Sequence, residues 1–188
     1  GLIEYYGMTE GGGSCMLVAH EFPDKLASVG RPLTEHEMFV IDEAGTRCLS
    51  GQTGEIVGTS KAIMRGYNNQ PEKTAETEWF AEDGRRFIRT GDVGRFDEDG
   101  FLTLMDRMKD MIISGGFNIY PSDLEAVLAL HTDVKDMAVV GIGSDRRGEK
   151  PIAFVVLKYN SSNPAEAVKY FCNFKQGKTQ RLKPLISV

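Results

Sequence analysis

Up to about residue 109 the chain alternates short apolar runs with polar stretches punctuated by glycine. Runs of this kind bounded by turn residues predict β-strands, here at Met38–Ile41, Gly54–Thr59, Arg86–Arg89 and Phe101–Met105. Between them, Asp42-Glu43-Ala44-Gly45, Asp83-Gly84 and Asp97-Glu98-Asp99-Gly100 supply residues that tolerate tight turns. The opening residues read as another strand-like stretch, running through Tyr6 into Gly7 and then Gly11–Gly13. One short helix is expected after Pro71. A first helical position has no partner for an N–H, so proline loses nothing there, and Glu72 falls in the first turn. Many short strands with little helix suit a small barrel or sandwich.

After Lys109 the pattern changes. An apolar strand at Ile112–Ile113 leads through Gly115-Gly116 to Pro121, which opens a helix with Asp123 and Glu125 in its first turns and Leu124, Val127 and Leu128 on one face. Met137–Ile142 and Ile152–Leu157 are near-continuous apolar runs, as in buried strands. A second helix is expected from Asn163, with Pro164 as its first helical residue and Glu166 completing a capping box. The expected fold class is therefore α+β: a small distorted β-barrel subdomain followed by a small α+β C-terminal domain. The change of pattern near residues 106–112 divides the chain into residues 1–108 and a shortened domain of residues 109–188.

Composition removes several classes of function. Of the 188 residues, 41% are hydrophobic and 26% charged, the balance of a globular protein that can build a core without staples. A net charge of −5 argues against sequence-independent nucleic-acid binding, which needs a basic surface, but leaves room for a local cation cluster that holds phosphate. Cys15, Cys48 and Cys172 are far apart and lack C-x-x-C spacing, so neither a disulfide framework nor a zinc site is expected, and a cytoplasmic setting is the reading. No apolar run approaches the ~20 residues needed to span a bilayer. The chain opens without Met inside a strand-like stretch, and is expected to be cut from something longer.

Three segments carry chemistry. In Tyr6-Gly7-Met8-Thr9-Glu10, ahead of Gly11–Gly13, a strand runs into glycines with a hydroxyl and a carboxylate at its end. Backbone N–H groups and Thr9 could face a phosphate, and Glu10 could hold Mg²⁺, which favours one or two carboxylates plus phosphate oxygens. The alternative is a polar surface loop. In Arg89-Thr90-Gly91-Asp92, the carboxylate of Asp92 could accept both hydroxyls of a ribose, or simply cap a turn. The block from Asp106 to Glu125 passes from a dense charge cluster through an apolar strand and a double glycine to a helix, more regular than a solvated linker needs.

Together these segments resemble the AMP-forming adenylating superfamily of acyl-CoA ligases, aryl-CoA ligases, luciferases and peptide-synthetase adenylation domains. The resemblance runs in order over most of residues 5–157. It takes in Tyr6–Glu10, Gly30-Arg31-Pro32, Gly54-Glu55-Ile56, Arg65-Gly66-Tyr67, Pro71–Glu76, Thr90-Gly91-Asp92, Asp99-Gly100-Phe101 and the Arg107–Glu125 block. It implies that Tyr6 and Gly7 pack against adenine, that Thr9 bonds the phosphate of AMP and that Glu10 coordinates Mg²⁺. Asp92 would hold the ribose hydroxyls, with Arg107 supporting the ribose and phosphate side. Lys109 matches the hinge of a mobile small domain, and Ser114, Gly115 and Gly116 belong to the face that approaches the CoA channel. The implied reaction joins a carboxylic acid to CoA through an acyl-adenylate formed from ATP.

Two features depart from the family pattern. The upstream Ser/Thr-rich phosphate loop and most of the acyl pocket are not in this sequence, so the chain alone is expected to be inactive. Near the C-terminus, Gly177-Lys178-Thr179-Gln180-Arg181 fits the five positions of the family's adenylation lysine motif, but no proline-rich lead precedes it, and the stretch after the second helix is too short. Lys178 is thus either that lysine or part of a truncated or rearranged tail. Two other readings stay open: a peptide-synthetase adenylation domain fragment, and a stand-alone module that binds a nucleotide or a protein, as a homodimer or with a missing N-terminal half. Trp79 and Phe80 are expected to be packing residues, and Glu149 a loop carboxylate.

Overall fold

A computed structural model describes residues 1–144, 148–158, 165–175, 182 and 185–187. The chain forms two compact units, Gly1–Met108 and Lys109–Val188.

In the first unit, β1 (Ile3–Gly7), β2 (Ser14–Val18) and β3 (Arg31–Pro32) make an antiparallel sheet in that order. A second, five-stranded sheet contains β4 (Glu37–Ile41), β5 (Gly54–Thr59), β6 (Glu78–Phe80), β7 (Arg86–Phe96) and β8 (Leu102–Arg107), with α1 (Pro71–Glu76) leading into β6. Its order is β4-β5-β7-β6, and β8 also pairs with β7.

Met38 to Ile41 are four consecutive buried residues because this sheet is covered on both faces. On one face Met38, Val40, Ile56 and Leu102 share a core with Cys15 of β2, so the two sheets pack together there. On the other, Phe39, Ile41, Val57 and Phe87 gather with Trp79. This face is covered by the sheet itself. Laid flat, β4 and β6 would lie about 14 Å apart, three interstrand spacings. Instead the rings of Phe39 and Trp79 meet edge to face with centroids 5.3 Å apart, and both make the same kind of contact with Phe87. The sheet is therefore curled, and the Trp79 indole N–H donates to the Gly45 carbonyl at 3.0 Å. Phe80, expected to pack, is largely exposed: side chains alternate along a strand, and Trp79 takes the inward position.

The second unit holds β9 (Ile112–Ser114), β10 (Phe117–Ile119), α2 (Pro121–Ala129), β11 (Val134–Ser144), β12 (Gly148–Leu157), α3 (Ala165–Lys175) and β13 (Leu185–Ser187). The sheet order is β10-β9-β12-β11, with β13 parallel to β12. Leu124 and Leu128, one helical turn apart on α2, are fully buried with Val139, Ala153 and Val155 of the sheet and Val168 and Cys172 of α3. The start predicted for α3, at Asn163 and Pro164, lies outside the described residues.

The structure departs from two local expectations. The double glycine is not a link from strand to helix but the turn of a hairpin, with Ser114 paired to Phe117. Gly115 and Gly116 have φ of +61° and +82°, the two positive values of a type I′ turn, whose twist matches that of paired strands. Glu149 lies within β12 and its carboxylate accepts the N–H of Ile113 at 2.9 Å. The class is α+β. Among the described residues, no helix is long and apolar enough to cross a membrane.

Candidate functional site

The site grows from an irregularity in β7. Arg86–Arg89 was expected to end at a turn, yet the strand runs on through Thr90-Gly91-Asp92 to Phe96. On the β5 side, Val57 pairs with Arg89 and Glu55 with Val93, so residues 90–92 bulge opposite Ile56. On the other side β7 changes partners at the same place: β6 pairs as far as Ile88, and β8 begins with Arg107 opposite Asp92. A bulge bends its strand and re-aims the side chains on it. Gly91, with φ +74°, makes the bend possible.

The redirected carboxylate of Asp92 is held on both oxygens. Oδ2 accepts the Tyr6 hydroxyl at 2.8 Å, and Oδ1 accepts the Nε–H of Arg107 at 3.1 Å. Thr90 secures the bulge from within, its hydroxyl donating to the Ile56 carbonyl at 2.9 Å and accepting the Asp92 N–H at 3.1 Å. Burial pushes the Tyr6 phenol far above its ordinary value, and the neighbouring Asp92 adds to the shift, so Tyr6 remains a donor at neutral pH. Arg107 is the open side of the cluster, its side chain 71% exposed against 19% for Asp92. An ionised carboxylate offers roughly four acceptor directions, so Asp92 keeps capacity for two hydroxyls while the exposed guanidinium can meet an anion.

Thr9 is exposed on the turn that follows β1, beside Glu10. The Glu10 Oε1 accepts the hydroxyl of Tyr67 at 2.8 Å, and the Tyr67 N–H donates to Thr74 Oγ1 of α1 at 2.9 Å. The backbone of the glycine loop is clasped by the same region, with Met64 N–H donating to the Glu10 carbonyl and the Ser60 hydroxyl to that of Gly11. Only Oε1 of the Glu10 carboxylate accepts a side-chain hydrogen bond among the described residues. Among the described residues, no group of three or more His, Cys, Asp or Glu is placed to hold a metal ion. A hard cation at Glu10 would therefore draw its remaining ligands from water and from a nucleotide's phosphates.

Of the residues singled out in the sequence, Tyr6, Asp92 and Arg107 form one cluster, and Gly7, Thr9 and Glu10 lie on the segment leading away from it. Lys109 is the first residue of the second unit, where Ser114 is buried and Gly115 and Gly116 form the hairpin tip. Lys178 lies outside the described residues. Sequence reasoning gave no role to Thr90 or Tyr67, nor to Glu55, whose buried carboxylate accepts the Nε–H of Arg89 at 2.9 Å. Each stands inside a recognised motif; Glu55 and Thr90 are polar residues borne on strands, whereas Tyr67 lies in the loop before α1.

The profile of the AMP-binding enzyme family matches residues 1–68, and that of the AMP-binding enzyme C-terminal domain matches residues 123–186. The 2-succinylbenzoate–CoA ligase of Geobacillus kaustophilus is 40% identical over 174 residues, covering 92% of this chain and 34% of that protein. The 4-coumarate–CoA ligase 3 of Oryza sativa subsp. japonica is 39% identical over 171 residues, 88% of this chain and 30% of that protein. Among solved structures, o-succinylbenzoate coenzyme A synthetase from Bacillus subtilis in complex with ATP and magnesium superposes with a TM-score of 0.82 at 30% identity, covering 99% of this chain and 37% of that one. The same enzyme with an acyl-adenylate intermediate gives a TM-score of 0.84, also at 30% identity, with 99% and 37% covered. The chain spans about a third of the length of the curated relatives it matches. Both family profiles, and relatives named as CoA ligases along most of its length, agree with the ordered motifs: the chain belongs to the AMP-forming adenylating superfamily.

Proposed function

We propose that this chain is part of an AMP-forming acyl-CoA ligase, which activates a carboxylic acid with ATP and passes the acyl group to CoA. The observation that carries the proposal is the Asp92 carboxylate, aimed by a bulge and held by Tyr6 and Arg107 with acceptor capacity to spare. That arrangement suits the vicinal hydroxyls of a ribose, and Arg107 suits the adjacent phosphate. Tyr6 and Gly7 would flank the adenine, Thr9 would donate to the α-phosphate, and Glu10 would share Mg²⁺ with the phosphates.

A carboxylate oxygen of the substrate attacks the α-phosphorus of ATP and pyrophosphate leaves. The thiol of CoA, losing its proton, then attacks the acyl carbon and AMP leaves. Adenylation is needed because the oxygen of a free carboxylate is a poor leaving group and AMP a good one. Lys109 as the hinge is supported by its place at the junction of two compact units. The hairpin tip at Gly115-Gly116 carries no side chains, which suits it to line a narrow channel for the pantetheine of CoA, while Ser114, buried at the end of β9, would support the tip from behind. The acid itself differs among the named relatives and is left open. Three cysteines, far apart in sequence and without C-x-x-C spacing, support a cytoplasmic setting.

Calorimetric titration of the chain with AMP and Mg²⁺ tests the reading. Hydrogen bonds to a charged group predict that Asp92→Asn weakens AMP binding roughly tenfold or more. AMP binding unchanged in that variant, or no AMP binding by the unaltered chain, overturns it.

A further inference from the structure

We infer that Thr90 is a positioning residue, whose hydroxyl sets the direction in which Asp92 receives a ribose diol. The inference rests on the nucleotide reading above and extends it to a residue that need not touch the nucleotide.

A bulge leaves its extra residues out of regular strand pairing, so the backbone around it needs other partners. Here residues 90–92 stand opposite Ile56, and the Thr90 hydroxyl donates to the Ile56 carbonyl in place of a ladder N–H. The same oxygen accepts the N–H of Asp92. One side chain therefore bonds β5 across the bulge and the carboxylate-bearing residue along it. A third bond, from Met108 N–H to the Gly91 carbonyl at 2.8 Å, closes the far side. With Gly91 at positive φ between them, Thr90 and Asp92 would otherwise be joined by the most permissive residue in the chain.

The chemistry selects a hydroxyl here. Serine could make both bonds. Valine keeps the branched shape of threonine and can make neither, leaving the Ile56 carbonyl and the Asp92 N–H without these partners. The consequence falls on direction more than on packing: the Asp92 carboxylate keeps its charge but loses the frame that presents it to two hydroxyls at once.

The test uses the full chain with AMP and 2′,3′-dideoxy-AMP as probes, in the unaltered protein and in Thr90→Val, Thr90→Ser and Asp92→Asn. The unaltered chain and Thr90→Ser should prefer AMP over the dideoxy nucleotide by roughly tenfold, the value of one good charged hydrogen bond. Thr90→Val should lose most of that preference, as Asp92→Asn does, with affinity for dideoxy-AMP unchanged. A preference retained in Thr90→Val, or equal weakening toward both nucleotides, overturns the inference. A ligand-free arm separates it from the nucleotide reading. Amide hydrogen exchange at Asp92 should be at least tenfold faster in Thr90→Val than in Thr90→Ser; equal rates overturn positioning by Thr90. If the unaltered chain shows no preference between nucleotides, the ribose role of Asp92 fails, while the exchange rates still decide whether Thr90 sets the bulge. Should Thr90→Val not fold, Thr90→Ala carries the same comparisons.

Discussion

The hydroxyl of Tyr6 donates to Oδ2 of Asp92 at 2.8 Å across 86 positions of sequence. Tyr6 lies on β1 of the three-stranded sheet and Asp92 in the bulge of β7, so this one bond ties two sheets together at the candidate site. Whatever binds beside Asp92 therefore meets a carboxylate whose direction was set by both sheets.

Tyr6→Phe should destabilise the first unit by roughly 1.5–3 kcal/mol, the net value of a hydrogen bond to a charged group. Burial, with help from Asp92, raises the Tyr6 phenol above its ordinary value of 10.0 in the folded state. A raised acid favours the folded form while protonated, so its contribution is complete below that ordinary value and is lost as pH rises toward the folded one. Urea unfolding from about pH 8 to about pH 11 should show the unaltered chain losing stability at the alkaline end. The gap to Tyr6→Phe should narrow there. A constant gap would show that Tyr6 titrates alike in both states.

Glu55→Gln probes the pair behind the bulge. The Glu55 side chain is 9% exposed and that of Arg89 42%, so solvent screens one partner and the full penalty of a broken buried pair does not apply. A loss of roughly 1–2 kcal/mol is expected in denaturant unfolding. A loss under about 0.5 kcal/mol would mean the pair behaves as a surface ion pair.

Gly116→Ala should destabilise the second unit by about 1–2 kcal/mol, the cost of left-handed backbone for a residue with Cβ. Among the described residues nothing lies within 4 Å of a Cβ built there, so the effect should come from φ +82° and not from collision. Gly116→Asn should recover much of it, because asparagine tolerates this region. Thermal unfolding of the two variants side by side distinguishes conformational cost from crowding.

Thiol reactivity should single out one cysteine. Burial pushes Cys15 up to about 12 and Cys172 up to about 11, and both are fully buried. Cys48 is only partly buried, although burial and Asp42 also raise it. A disulfide reagent at neutral pH should modify Cys48 slowly and the other two only on unfolding, because reaction needs an accessible thiolate. Fast modification of Cys15 in the native chain would show that the core between the two sheets opens.

The motifs of this family, their order, and the strands and helices that rest on local composition were legible from the residues alone. Met38–Ile41 reads as a buried strand because every side chain in it is apolar, and Pro121 announces α2 because proline suits a first helical turn. The family follows from such local runs, since a motif is a spacing of residue types. What needed the tertiary structure was pairing. The continuation of β7 through Thr90-Gly91-Asp92 depends on β5, β6 and β8, which lie elsewhere in sequence, and a turn-like triplet carries no mark of the strands that will flank it. The hairpin at Gly115-Gly116 was hidden for the same reason, its second strand of three residues being too short to show periodicity before Pro121. Asp92 itself was visible as a carboxylate beside a glycine. That it faces Tyr6 and Arg107 was decided by register, a property of two strands together and of neither alone.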